Sequence, residues 1–345
     1  MNSRDNVPGS ITKVSMLHIH DGESSASTAK ESTIPGTHVG WREALIDGPA
    51  PSDAQGTEWR KLRADFLSDH YLMDRQQCEK ELLAQEEMLA SFSAHEEVVL
   101  WFEHDLFCQT NLLYLLNWFA QQNLGTTRLS LICIDQFPGL GDFRGLGQLN
   151  AEQLSSLFDT RHEVSSIEKE LARQSWKAFR AVSPTEIEQL LSEDTSALPF
   201  LKSALRLHLK RFPFVHNGLG HVENLALELI RRGANDFPHL FSEFGNEEPG
   251  YGLGDFQFWL ALKPLSETKR PLVRISDYVG AGPSLESQEI RNSRFEITEL
   301  GRAVLHGQED YIEMNGIDLW LGGVHLSGKR NLWRWDHQEQ RLRCI

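Results

Sequence analysis

The amino-acid sequence predicts an α/β fold: a mostly parallel, open sheet covered by helices, followed by a helical and winged-helix-like C-terminal domain. Strongly apolar, strand-like runs alternate with helix-like segments between residues 14 and 150. Those runs are apolar at nearly every position, which is typical of parallel strands buried on both faces. Beyond residue 150 the pattern is mainly helical, with short strand-like segments towards the end.

The first half of the chain provides the strands of the predicted sheet. Ser15 to His20 predicts the first strand, and the Gly/Ser/Thr-rich stretch DGESSAST after it predicts a loop in which a helix begins. Residues 57–92 contain neither Gly nor Pro and predict one long helix or two consecutive helices. The strand EVVLWFE, the apolar helix of residues 106–122 and the strand TRLSLICID then follow in order, with right-handed crossovers expected.

The second half predicts helices up to Pro213, three more helices after it, and the short strands PLVRIS, RFEITEL, IDLWLGG and NLWRWD. Three helices followed by a small sheet are typical of a winged helix. We therefore divide the chain into a flexible N-terminus (1–13), an α/β ligand-binding domain (14–150), a helical connector (151–212) and a winged-helix-like domain (213–345).

The charge balance disfavours nucleic acid as a partner. The chain has 34 basic and 49 acidic residues, a net charge of -15, which repels phosphate backbones. One segment, residues 195–222, has four basic residues and no acidic residue, at the spacing of an amphipathic helix. A solvated basic face is the simplest interpretation of that segment.

Other features bear on location and partners. No run of eighteen apolar residues exists and the N-terminus is polar, so we expect no transmembrane helix, no secretory signal and a cytoplasmic protein without a membrane partner. The cysteines, Cys78, Cys108, Cys133 and Cys344, are scattered, which argues against a disulfide framework or a cysteine zinc site. A protein partner or a homo-oligomer stays open.

Seven segments, spread over nearly the whole chain, form a recognisable set: HIHDGES, WREALIDGPAP, LWFEHDLFCQTNLLYLL, GLGQL, LPFLKSALRLHLKRFP, ITELGRAVLHG and WLGGVHL. Together they resemble the bacterial family named domain of unknown function 1835. The resemblance implies an α/β N-terminal domain joined to a helical C-terminal one, and it supplies no reaction. The chain departs from the expected pattern at His221-Val222-Glu223, where a more basic or hydroxylated helix start would be expected, and this further disfavours nucleic acid.

Polar residues gather where the predicted strands end. The first strand ends in His20-Asp21. The strand EVVLWFE ends at Glu103 and is followed by His104 and Asp105, and the next strand ends at Asp135. Ligands of open parallel sheets bind at this carboxyl edge, near the point where the strand order reverses. The sequence therefore predicts a site at this edge.

Four of these residues are candidates for catalysis: Asp21, Glu103, His104 and Asp105. His104 has the residue type of a general base, with Glu103 as its orienting or acidic partner. Asp105 precedes an apolar helix, and a role as its N-cap would explain it without chemistry. Neighbours on a strand point to opposite faces, so Glu103, His104 and Asp105 cannot all converge. With His20 they include the ligand types of a divalent metal, although the cofactor stays undetermined.

Other residues are candidates for holding a small anionic ligand. Ser24, Ser25 and Ser27 lie where backbone N–H groups at a helix start could bind a phosphate or carboxylate, although an ordinary helix-capping loop explains them equally. Arg42 could clamp the same group, or form a salt bridge with Glu43 or Asp47. Gln109 could steady a ligand or the Asp105 side chain. Neither a dinucleotide fingerprint nor a P-loop is present.

Two functions remain open. In the first, the protein binds a small anionic or phosphorylated ligand at the carboxyl edge and hydrolyses it or transfers a group from it, by acid–base or metal-assisted chemistry. In the second, it is a regulatory or adaptor protein whose winged-helix-like module binds protein or DNA. The third helix of that module, DFQFWLALKPL, carries one acid and one base, which disfavours DNA.

Cys108 has apolar neighbours, typical of a core thiol rather than a nucleophile.

Overall fold

The computed structural model describes residues 15–277 and 287–345. The predicted flexible N-terminus, residues 1–13, lies outside the described residues. The strands are β1 Met16–Asp21, β2 Thr37–Trp41, β3 Gly48–Pro49, β4 Glu97–Glu103, β5 Arg128–Ile134, β6 His162–Glu163, β7 Val273–Ser276, β8 Arg294–Ile297, β9 Ile317–Gly322, β10 Val324–Gly328, β11 Trp333–Asp336 and β12 Arg341–Cys344. The helices are α1 Glu23–Lys30, α2 Gly56–Tyr71, α3 Arg75–Ala90, α4 Leu106–Ala120, α5 Ala151–Leu157, α6 Ser166–Phe179, α7 Thr185–Ser192, α8 Leu201–Lys210, α9 His221–Arg231, α10 Phe237–Glu247, α11 Asp255–Glu267, α12 Ser287–Asn292, α13 Glu299–Leu305 and α14 Tyr311–Asn315.

The main sheet has five strands in the order β2-β1-β4-β5-β6. The pairs β1–β2, β1–β4 and β4–β5 are parallel, and the short edge strand β6 is antiparallel. The prediction of a mostly parallel sheet flanked by helices is therefore confirmed. The chain runs from β1 outward to β2 and then returns to the other side of β1 with β4. The strand order thus reverses between β1 and β4, and a crevice is expected at the carboxyl ends of these two strands.

Both faces of the sheet are covered, which explains why its strands are apolar throughout. All seven residues of β4 are buried. Val98, Leu100 and Phe102 pack in one core with α4 and α6, whereas Val99 and Trp101 pack in another with α1 and α5. Successive side chains of a strand point to opposite faces, so each face requires its own apolar set.

Residues 57–92 were predicted as one long helix or two consecutive helices, and the structure has two helices there, α2 and α3. Leu72 ends α2 in a left-handed conformation with φ 56°, and Asp74 caps α3 by accepting a hydrogen bond from the Gln77 amide at 2.8 Å. A short hydrophobic core then joins the two helices through Ala64, Leu67, Cys78 and Leu82.

The C-terminal strands do not form the one small sheet that the sequence predicts. Helices α9, α10 and α11 precede the antiparallel pair β7–β8, but β9 and β10 form a sheet with β3, and β11 pairs with β12. β3 lies in the segment DGPAP, whose Gly and Pro residues are typical of a turn. Its backbone is held in place because the buried Arg63 guanidinium donates hydrogen bonds to the Asp47 and Pro49 carbonyls at 2.8 and 3.2 Å.

A second core fills the C-terminal part, with side chains from α9, α10, α11, β7, β8 and α13. Leu106 and Ile46 of the first half also belong to this core. The domain boundaries at residues 150 and 212 stay predictions, although β6 extends the first sheet beyond residue 150. Within the residues that the structure describes, no helix is both long and apolar enough to cross a membrane.

Candidate functional site

Asp21 and Glu103 end the neighbouring strands β1 and β4, on the two sides of the point where the strand order reverses. Together with Cys108 on α4, they bring two carboxylate oxygens and a thiol sulfur within 4.8 Å of one another. We call Asp21, Glu103 and Cys108 the switch-point cluster. Sequence analysis predicted the two carboxylates at this edge, but it favoured a simple core position for the thiol.

The start of α4 carries the thiol to Glu103. Asp105 has extended backbone angles, and its Oδ1 accepts a hydrogen bond from the Cys108 amide at 2.8 Å. The prediction that Asp105 is the N-cap is confirmed. One turn into the helix, the Cys108 thiol donates to Glu103 Oε2 at 2.7 Å. Gln109 Nε2 donates to the Glu103 carbonyl at 2.7 Å, so it steadies the end of β4 rather than Asp105.

Glu103 is also held from the opposite side by the GLGQL segment. The Leu146 amide donates to Glu103 Oε1, and Leu146 itself is fully buried. This close approach requires a glycine next to it, since a Cβ at Gly145 would lie 3.0 Å from Glu103 Oε1 at a φ of +152°. The contact joins residues 43 positions apart in sequence.

Asn111 holds the Asp21 carboxylate, and sequence reasoning missed it. Asn111 Nδ2 donates to Asp21 Oδ1 at 2.9 Å and to the Glu43 carbonyl at 2.9 Å, and the side chain is fully buried. A signal was present, because three polar residues, Gln109-Thr110-Asn111, interrupt an otherwise apolar helix. Buried polar side chains require partners, so such a triplet indicates a polar cluster next to the helix.

Burial and mutual repulsion keep protons on this cluster. Burial raises the pKa of Asp21 to about 7 and that of Glu103 to about 8. The nearby Asp105 carboxylate adds to both shifts, because like charges repel. Burial also raises the pKa of Asp105. Burial and the surrounding carboxylates raise the pKa of the Cys108 thiol well above its usual range, so the thiol is protonated rather than nucleophilic.

His20 of β1 lies away from the switch-point cluster. His20 is the neighbour of Asp21 on β1 and therefore points to the opposite face, where its Nε2 lies 3.0 Å from His38 Nδ1 and its ring stacks on Trp101. His18 stacks on His38 with 4.3 Å between ring centroids, and Trp101 Nε1 donates to His18 Nδ1 at 3.0 Å. We call His18, His20 and His38 the histidine core.

The serines predicted to form a loop lie in the helix α1. Ser25 is buried, Ser27 Oγ donates to Glu23 Oε1 at 3.4 Å, and Ser24 Oγ donates to the Gly147 carbonyl at 3.5 Å. The prediction of a loop is wrong here, because α1 packs against β1 and β2 and this tertiary packing outweighs the low helix propensity of serine. Glu23 adds a carboxylate to the first turn, which opposes anion binding there.

Arg42 and Asp135 follow β2 and β5 at the carboxyl edge of the main sheet. Arg42 forms ion pairs with Glu23 at 3.0 Å and Glu81 at 3.9 Å, rather than with the predicted Glu43 or Asp47. Asp135 is exposed, and it forms no hydrogen bond or ion pair with any residue in 15–277 or 287–345. Neither side chain joins the switch-point cluster.

Two cavities are lined by chain neighbours of the cluster residues, but Asp21, Glu103 and Cys108 line neither of them. One, of about 530 Å³, lies at the ends of β1 and β2, and Gly22, Arg42 and Phe107 contribute to its walls. The other is a groove of about 1080 Å³ that His104 lines together with α7, α8 and the last hairpin. His104 lines this groove and does not belong to the switch-point cluster, so the four catalytic candidates do not converge on one point.

Replacing Gly252 with alanine is expected to cost about 2 to 3 kcal/mol of unfolding free energy. A Cβ there would overlap the Asp105 carboxylate, at a left-handed φ of +66°. Gly125→Ala is the matched control, because Gly125 has a φ of +57° with nothing within 4 Å of its Cβ position, so it reports only the backbone strain. Urea unfolding of the two variants measures the difference, and an equal loss would contradict a tight contact at Asp105.

Comparison with known proteins adds no relative: no protein-family model and no curated protein matches this chain. It is an α/β protein with a carboxylate–thiol cluster at the switch point of its mostly parallel sheet, in which Glu103 and Cys108 are buried and Asp21 is partly exposed.

Proposed function

We propose that this protein is a metal-dependent enzyme, a hydrolase or group-transfer enzyme, that acts on a small anionic ligand at the carboxyl edge of its sheet. Asp21, Glu103 and Cys108 would hold one divalent metal ion, zinc in the first place. One observation carries the proposal: a thiol and two carboxylates from three different elements have their donor atoms within 4.8 Å of one another. We also propose that the protein is cytoplasmic and that it is related to the family named domain of unknown function 1835.

The donor set favours zinc over magnesium or calcium. Thiolate is a soft ligand that zinc accepts, whereas magnesium and calcium prefer oxygen ligands alone. Three protein ligands leave one position of a tetrahedral zinc ion open, as in catalytic rather than structural zinc sites. When bound, such an ion supplies a water of lowered pKa and polarises an anionic substrate.

The neighbouring residues would orient the ligands. Asn111 fixes one oxygen of Asp21, and Leu146 fixes one oxygen of Glu103, which leaves the other oxygen of each carboxylate for the ion. Asp105 would act through the helix start that carries Cys108 and is therefore a positioning residue. His104, which lines the adjacent groove, would be the acid–base group that meets the ligand from that side.

Metal analysis tests the proposal. We expect the purified protein, dialysed against zinc and then against buffer, to retain about one zinc ion per chain. Asp21→Asn keeps the size of the side chain and an acceptor for Asn111, and Cys108→Ser keeps the size of the thiol, so both should fold and lose most of the zinc. Cys78→Ser is the matched control, because Cys78 is also a buried cysteine but lies between α2 and α3.

Zinc binding should also strengthen as the pH rises from about 6 to 8, because the ion must displace protons from the cluster. Equal zinc content in the wild type and in both cluster variants would contradict the proposal. So would a wild-type protein that retains no zinc at pH 8.

The second candidate function is a regulatory or adaptor role, and the order α9, α10, α11, β7, β8 favours it as a winged-helix-like arrangement. The third helix of this arrangement, α11, is poorly suited to bind in the major groove of DNA, because its side chains contact other parts of the protein. Gln257 at the start of α11 donates to Asp47 Oδ2 at 2.8 Å and to the Tyr71 hydroxyl at 3.1 Å. Phe258, Trp259, Leu262 and Leu265 of the same helix are buried. Tight binding in a gel shift with random genomic DNA would favour this role over the enzyme.

A further inference from the structure

The groove that His104 lines has a volume of about 1080 Å³. Its walls come from α7, α8, the loop at residues 248–250 and the hairpin β11–β12. This volume lies at the upper end of small-molecule sites, which suits a ligand the size of a nucleotide better than a single inorganic ion. His104 stands between Glu103 and Asp105 in the chain, so the groove begins one residue from the switch-point cluster.

The walls of the groove carry basic side chains although the chain is strongly acidic overall. Arg206 and Lys210 of α8 lie one helical turn apart. Arg341 of β12 is also in the wall, where it forms an exposed ion pair with Glu339 at 3.5 Å. No carboxylate of the described chain lies within ion-pair distance of Arg206 or Lys210. Ser203 precedes Arg206 by three residues on the same face, and its hydroxyl donates to the Phe200 carbonyl at 2.8 Å, so toward a ligand it could only accept. The basic segment that the sequence singled out thus has a groove beside it.

The two acidic residues in the wall have other partners. Glu188 Oε1 accepts a hydrogen bond from the Leu342 amide at 2.7 Å, which ties α7 to the last strand. Glu248 Oε2 lies 3.8 Å from His221 Nδ1, although its carboxylate also feels the charge of Lys210. Both carboxylates add negative charge to the wall, but neither forms an ion pair with Arg206 or Lys210.

The groove also contains a buried donor that the protein does not use. Trp335 lines the groove and is 3% exposed, and its Nε1 has no hydrogen-bond partner within the described ranges. A buried indole N–H normally finds a partner, because leaving it unpaired costs free energy. An acceptor atom of a bound ligand would supply that partner.

We propose that this groove binds the phosphate-bearing part of a small, nucleotide-sized molecule, with Arg206, Lys210 and Arg341 as the groups that pair with the phosphate. The inference rests on the proposed function in one respect: it identifies the anionic substrate class as phosphorylated. A nucleic acid strand fits less well, since a net charge of -15 opposes a long polyanion while permitting a small one.

Calorimetric titration with AMP, with adenosine as the uncharged comparison, tests the inference at constant ionic strength. We expect AMP to bind and adenosine to bind at least about tenfold more weakly. Arg206→Ala combined with Lys210→Ala should weaken AMP binding about tenfold or more, and Arg206→Lys should retain most of it. The matched control is Lys61→Ala combined with Lys177→Ala, which removes two charges from exposed helical positions elsewhere.

The failure of this inference can be told apart from that of the metal proposal. Asp21→Asn should lose zinc and still bind AMP, because it leaves the groove intact. Binding of AMP that is equal in the wild type and the double groove variant would overturn the inference, as would no binding by the wild type. Tighter binding of a single-stranded 20-mer than of AMP, lost in the same double variant, would assign the groove to nucleic acid instead.

Discussion

Glu103→Gln is expected to stabilise the metal-free protein by several kcal/mol at pH 8 and to change its stability little at pH 4. Burial and the nearby carboxylates raise the pKa of Glu103 from 4.5 to about 8 in the folded protein. Between those values the folded carboxyl keeps a proton that the unfolded chain releases, so wild-type stability falls as the pH rises. At about 1.4 kcal/mol per pH unit, the upper bound of this cost is about 5 kcal/mol.

Glutamine removes this cost because it cannot ionise. Its side-chain oxygen can still accept the hydrogen bond from the Leu146 amide, so the packing around β4 is kept. Urea unfolding in the presence of EDTA, at several pH values from 4 to 8, measures the effect. Glu152→Gln is the control, because Glu152 is exposed on α5. Parallel pH profiles for the wild type and Glu103→Gln would show that Glu103 is not held protonated in the fold.

The same measurement with zinc should reverse the order of the two proteins. A ligand that binds only the folded state stabilises it in proportion to the logarithm of its concentration over Kd. The wild type should therefore gain stability from zinc at pH 8, whereas Glu103→Gln, with one ligand lost, should gain little. In the metal-free protein the switch-point cluster lowers the free energy of unfolding, and metal binding would offset that loss.

The parts of this site that sequence could predict depend on local patterns. Strands that are apolar throughout indicate a covered parallel sheet, and the residues after such strands lie at its carboxyl edge. This reasoning located Asp21 and Glu103. The helix pattern after Glu103 likewise predicted that Asp105 is an N-cap, because an N-cap depends on residues only three positions apart.

The remaining parts depend on contacts between distant segments. Leu146 approaches Glu103 from a glycine-rich loop, and Asn111 reaches Asp21 across 90 residues. No local pattern specifies either pair. His20 was grouped with Asp21 because the two are adjacent, whereas strand alternation sends them to opposite faces. Gly48–Pro49 has the residue types of a turn, and no local pattern indicates a strand there, because its partner strand, β9, lies more than 260 residues away.

The histidine core should produce the opposite pH dependence, below pH 6.5. Burial first, and neighbouring histidines second, lower the pKa of His18 to about 4 and that of His20 to about 2. As the pH falls below 6.5, the unfolded chain takes up protons that the folded protein excludes, so stability is lost. Each of the two residues can cost up to about 3 kcal/mol by pH 4.

His20→Leu is therefore expected to flatten the acid side of the stability profile, with a difference from wild type that grows by up to about 3 kcal/mol between pH 6.5 and pH 4. His239→Gln is the control, because His239 is exposed. Urea unfolding without metal again provides the measurement, and curves for the wild type and His20→Leu that stay parallel below pH 6.5 would contradict the prediction. Below pH 6.5 these losses oppose the gains that the raised pKa values of Asp21 and Glu103 give as the pH falls, so the histidine core and the switch-point cluster act on stability in opposite directions.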